Sequence, residues 1–83
     1  MNQEFDLEYQ YQLYLKRVAL KEDIMPENQK RQLRQAFMGA CGQMLLLLRD
    51  DVVGLSETDA IKTMENMITQ VGNYFLKATN KNN

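Results

Sequence analysis

Eighty-three residues, 45% hydrophobic and 25% charged, make an ordinary globular composition rather than a disordered one, and a chain this short supports one small domain with a thin stability margin. The absence of histidine removes the commonest general base and metal ligand together, and the single cysteine, Cys41, excludes both an internal disulfide and a cysteine-built zinc site. A net charge of −1 does not indicate whole-chain attraction to nucleic acid or an anionic membrane, and leaves only a local basic patch for such a role.

The chain starts with "MNQEFDLEYQ", acidic and polar, without the basic and apolar regions of a secretory leader. No stretch approaches the ~20 apolar residues of a membrane span, so the expectation is a cytoplasmic protein with no membrane partner. A first helix is predicted over about residues 4–20. At about 100° per residue its apolar side chains fall into two stripes. Leu7, Tyr11, Tyr14, Leu15 and Val18 form one, and Phe5, Tyr9, Leu13 and Leu20 form another nearly opposite. A three-helix unit covers one stripe readily. The second is assigned to an intersubunit contact, because Phe and Tyr belong to the residue types that populate interfaces.

Pro26, the only proline, suits the start of a second helix, where its fixed φ fits and its missing N–H costs nothing. That helix is predicted over about 26–53, with Gly54 as a left-handed stop and Leu55 as its apolar contact. Its apolar arc is broad, centred on Leu33, Phe37, Ala40, Cys41, Met44, Leu48 and Val52, which makes it the central helix of the unit. Cys41 on this arc reads as a small buried thiol. Leu46 falls outside the arc, beside Gly39 and Gly42. Two glycines inside a helix oppose it by nearly 2 kcal/mol, about 0.8 to 1 each, so close approach by a neighbouring helix, a second subunit or a flat ligand is expected there. Gly39, Gly42 and Leu46 therefore join Phe5, Tyr9, Leu13 and Leu20 as interface candidates.

Charge is unevenly placed: residues 16–34 hold six bases against three acids. Lys30, Arg31 and Arg34 form a loose patch near the start of the second helix. With Tyr11 and Tyr14 as stacking surfaces, they are the candidate site for a small nucleotide-like anion. Glu22, Asp23 and Glu27 intrude on the patch, and a solvated basic face is the plainer reading. Asp50 and Asp51 oppose the dipole near the end of the helix, which predicts a local partner such as Arg49 or Lys62.

Ser56 with Asp59 three residues later is a capping-box variant, starting a third helix over about 57–78. So short a connection predicts an antiparallel hairpin of helices 2 and 3. Ala60, Ile61, Met64, Met67, Ile68, Val71, Tyr74, Phe75 and Ala78 share one face, the pattern of a helix laid on a core, with the methionines filling gaps. Residues 1–3 and 79–83 are expected to fray, leaving 1–83 as a single all-α domain, a compact three-helix unit assembled as a homo-oligomer.

No phosphate-cradling loop, calcium loop or nucleophile elbow occurs, so an enzyme is not expected and no cofactor or metal is called for. The leading expectation is a small self-associating interaction or adaptor protein. A helical oligomer that binds or sequesters a small anion is the alternative, and a nucleic-acid accessory is disfavoured by the charge balance and by the length of the second helix.

Overall fold

The computed structural model describes residues 2–80, and among these it contains three α-helices and no strand. The chain divides into two compact units, Met1–Leu45 and Leu46–Asn83. The expected fraying of residue 1 and of 81–83 lies outside the described residues.

In the first unit a 3-10 turn, Gln3–Phe5, precedes α1, Leu7–Arg17. The helix begins later than the Glu4 expected because Asp6 is its cap: the backbone there is extended and the Asp6 carboxylate accepts the Glu8 N–H at 2.9 Å. It also ends earlier than Leu20. The Leu20 N–H donates to the Leu15 carbonyl at 3.0 Å and the Ala19 N–H to the Lys16 carbonyl at 3.2 Å, the paired bonds of a Schellman stop. The residue at its left-handed position is Ala19, with φ 57°. A side chain held there costs on the order of 1 kcal/mol, a strain that glycine would not carry.

A second 3-10 turn, Glu22–Ile24, carries the chain to α2, Glu27–Leu47. The Pro26 carbonyl accepts the Lys30 N–H at 3.0 Å, so proline stands at the helix start as expected. Of the two stripes on α1, the first is the one that packs: Tyr11 is fully buried and Leu15 nearly so. No residue of α2 is buried, despite the breadth of its apolar arc.

The second unit opens with a π-helical turn, Leu48–Val52, in which the Val53 N–H reaches back to the Leu48 carbonyl at 3.0 Å. This wide turn, rather than a left-handed glycine, ends the second helix: no glycine of the chain has positive φ, which corrects the role expected of Gly54. Val52 is the buried residue of this segment. Arg49 pairs with Asp50, Nε to Oδ1 at 2.7 Å, so the local partner expected for the acidic pair is Arg49. Then α3 runs over Glu57–Asn80, started by Ser56, whose hydroxyl accepts the Asp59 N–H at 3.1 Å. Between 57 and 79 only Ala60, Thr63 and Met67 are half-buried, and the rest are exposed. Of the face read as resting on a core, Ala60 and Met67 are half-buried and the other residues stand exposed.

Candidate functional site

Two places gather the residues singled out above: a charged and aromatic cluster in the first unit, and the apolar face of α3 in the second.

The cluster is built on Tyr11, midway along α1. Its ring meets Phe37 of α2 edge-on, with centroids 5.2 Å apart, and Tyr14 lies against the same Phe37 at 5.4 Å. The Arg34 guanidinium sits 4.7 Å from the centre of the Tyr11 ring, a cation over an aromatic face. Arg34 is also clamped from two sides. Its Nε and Nη2 donate to both oxygens of Glu22 at 2.7 and 2.9 Å, and its Nη1 and Nη2 donate to both oxygens of Glu8 at 2.8 and 3.1 Å. The Tyr11 hydroxyl donates to Glu22 Oε2 at 2.9 Å, and Gln12 donates to Glu8 at 2.8 Å. Planar guanidinium against planar carboxylate is the geometry that makes such pairs bidentate.

These contacts shift the proton affinities in one consistent sense. Hydrogen bonds from Arg34 hold both Glu8 and Glu22 below the ordinary carboxylate range, and the two carboxylates raise Arg34 in return. Burial, followed by the hydrogen bond to Glu22, pushes the Tyr11 phenol up to about 12. The cluster thus locks its charges at neutral pH, holding one cation between two anions.

Of the five residues proposed for anion binding, the structure brings Tyr11, Tyr14 and Arg34 together but commits the Tyr11 hydroxyl and the Arg34 guanidinium to Glu22 and Glu8. An anion approaching Arg34 would have to displace a carboxylate. Lys30 pairs with Glu27 at 3.1 Å, and Arg31 donates to Asn28 at 2.9 Å. Glu22, read from sequence as charge intruding on the patch, and Glu8 are therefore the residues that decide what Arg34 does. The signal for them was weak, because Glu8 and Arg34 are 26 positions apart.

Two open grooves border this unit. One, of about 410 Å³, is lined by Ala19, Leu20, Lys21, Ile24, Met25 and Gln29, and the other, of about 210 Å³, by Tyr14, Leu33, Ala36, Phe37 and Ala40. Both are mainly apolar, and neither gathers the convergent polar groups that orient a small ligand.

The proposed interface residues of α1 lie on the outside: Phe5 is 69% exposed, Leu20 is exposed, and Tyr9 and Leu13 are half-buried. Beyond its chain neighbours and the backbone of its own helix, a Cβ added at Gly39 or Gly42 would meet no atom within 4 Å, so no other part of the described chain makes the close approach expected there. Leu46 is half exposed.

The larger open surface is on α3, where Ile61, Met64, Ile68, Val71, Tyr74 and Phe75 are 41 to 67% exposed along one face. Its Tyr74 and Phe75 rings touch each other edge-on at 5.2 Å. Among the described residues no helix is long and apolar enough to cross a membrane. No family model, no curated protein and no solved structure matches the chain.

Proposed function

We propose that this chain is a small cytoplasmic interaction or adaptor protein that works as a homo-oligomer. The observation that carries the reading is the imbalance between covered and uncovered apolar side chains. Among the described residues only Tyr11, Leu15 and Val52 are buried, while large apolar side chains on all three helices stand open. A chain of this length ordinarily buries about 60% of its unfolded surface to be stable, and small domains that fall short use association to make up the difference. Exposed patches of this extent are also the mark of a surface with a partner. The second apolar stripe around α1, with Phe5 and Leu20 exposed and Tyr9 and Leu13 half-buried, belongs to the contact surface in this reading, as do Gly39, Gly42 and Leu46 of the second helix.

Light scattering coupled to size exclusion at micromolar concentration tests the proposal. A dimer or larger species is expected, and a clean monomer would overturn it. Tyr9→Glu is expected to shift the population toward monomer while leaving helicity largely in place. Unchanged assembly would remove the α1 stripe from the interface.

A further inference from the structure

The apolar residues of α3 form three columns, each with a strict seven-residue spacing: Ala60, Met67 and Tyr74; Ile61, Ile68 and Phe75; Met64, Val71 and Ala78. The first and third columns together alternate steps of four and three along the helix. That is the heptad spacing of 3.5, which keeps a stripe facing a neighbour only if two helices wind around one another left-handedly. The middle column widens the face, and the outward positions carry Lys62, Glu65, Asn66, Thr69 and Asn73, with Leu76 as the apolar exception. Six large apolar side chains of this face are 41 to 67% exposed, the kind of apolar surface that marks a contact with a partner.

The order of residues within the columns selects the occupant. When two copies of α3 run antiparallel about an axis beside Thr69, each layer combines a first-column residue of one copy with a third-column residue of the other. Ala60 then meets Ala78, Met64 meets Tyr74, and Met67 meets Val71. Small residues oppose each other at both ends and bulky ones fill the centre. The middle column flanks the seam about one residue off this centre, with Ile61 nearest the partner's Phe75 position and Ile68 nearest its own counterpart. The face is thus complementary to itself, as a two-fold contact requires.

Charge points to the same direction of pairing. The first turn of α3 carries Glu57 and Asp59, and its last turn carries Lys77. Antiparallel pairing brings each acidic turn beside the partner's basic one and opposes the two helix dipoles, whereas parallel pairing would put like charges and like dipole ends together. We infer that α3 is the seam through which two copies of this chain pair, antiparallel, with a two-fold axis beside Thr69. The inference rests on the self-association reading and adds to it the helix, the direction and the register.

Cysteine cross-linking of the full chain tests it, in a Cys41→Ser background so that each variant carries one thiol. Under mild oxidation Ile68→Cys is expected to convert mostly to a disulfide-linked dimer. Ile61→Cys alone is expected to stay uncross-linked, but to form a mixed dimer when combined with Phe75→Cys. Helicity by circular dichroism checks folding, and these conservative changes on an exposed face leave α3 intact. Efficient cross-linking of Ile61→Cys by itself would overturn the antiparallel direction. If none of the variants cross-links while the reduced proteins still scatter as dimers, the seam is overturned and self-association stands. If they scatter as monomers, both readings fall.

Discussion

Around Tyr11 the chain covers apolar side chains with its own atoms, whereas along α3 the same kinds of residue stand open. The first arrangement is closed by polar groups at its edge: Arg34 lies over the Tyr11 ring and is held there by Glu8 and Glu22, which satisfy its N–H donors and the tyrosine hydroxyl. The second has no polar residue in any of its three columns, so nothing within the face marks an edge with solvent. An apolar stripe states that a surface is to be covered. Whether the cover is the same chain or another molecule depends on whether a second element with matching polar groups reaches it.

Changes of side chain, of pH and of backbone sharpen the contrast, and the largest effect belongs to the covered region. Tyr11→Ala empties the only fully buried large side chain among the described residues and leaves Glu22 without its phenol, and is expected to destabilise the protein by about 3 to 5 kcal/mol. By comparison Ile68→Ala, on a side chain 67% exposed, is expected to change the stability of a diluted sample by less than about 0.5 kcal/mol and to act on assembly. Thermal melts monitored at 222 nm across a dilution series separate the two, since the second effect depends on concentration and the first does not. Equal, concentration-independent losses would abolish the distinction between the regions.

Intermediate in size is the dependence on pH. Glu8 and Glu22 have lowered proton affinities in the folded chain, so their contribution is complete above the ordinary glutamate value of 4.5 and is lost as pH falls through the depressed folded values. Tyr11 is raised from 10.0 to about 12, so its contribution is complete below pH 10 and is lost as pH climbs toward 12. Stability measured by urea titration is expected to fall on both sides. Tyr11→Phe is expected to cost about 1 to 2 kcal/mol at neutral pH and to flatten the alkaline decline relative to the parent, leaving the acid one. An unchanged alkaline decline in that variant would assign the loss to other groups.

The smallest effects concern the backbone. Ala19→Gly is expected to stabilise the chain by about 1 kcal/mol, because it relieves the left-handed strain at the Schellman stop. Gly39→Ala adds a methyl group into open space and is expected to gain about 0.8 to 1 kcal/mol of helix propensity in the isolated chain. Should Gly39→Ala instead weaken assembly, a second copy makes the close approach that this chain itself does not make.

Much of the fold was legible before any coordinates. Three helices, the start at Pro26, the Ser56 cap and the single apolar face of α3 all follow from features that act within one or two turns. The helix ends were less legible. A glycine is the ordinary left-handed residue at a helix stop, and Gly54 was the natural choice. The chain instead places Ala19 in that conformation and passes through a π-helical turn at Leu48–Val52, outcomes that sequence propensity disfavours. The candidate site was legible in part. Tyr11, Tyr14 and Arg34 of the five candidates lie together, but nothing in their local spacing revealed that carboxylates 26 and 12 positions away would claim the guanidinium.

What the amino-acid sequence determined by itself, then, is what local chemistry controls: helical class, caps, the two stripes of α1 and the heptad columns of α3. Short-range hydrogen bonding and side-chain periodicity set these wherever the rest of the chain lies. Only the tertiary structure decided which α1 stripe is buried, that Arg34 is neutralised by Glu8 and Glu22, that Gly39 and Gly42 have no close neighbour, and that the face of α3 is left open. Each of these depends on which distant groups meet, and composition and periodicity are the same whether they meet or not.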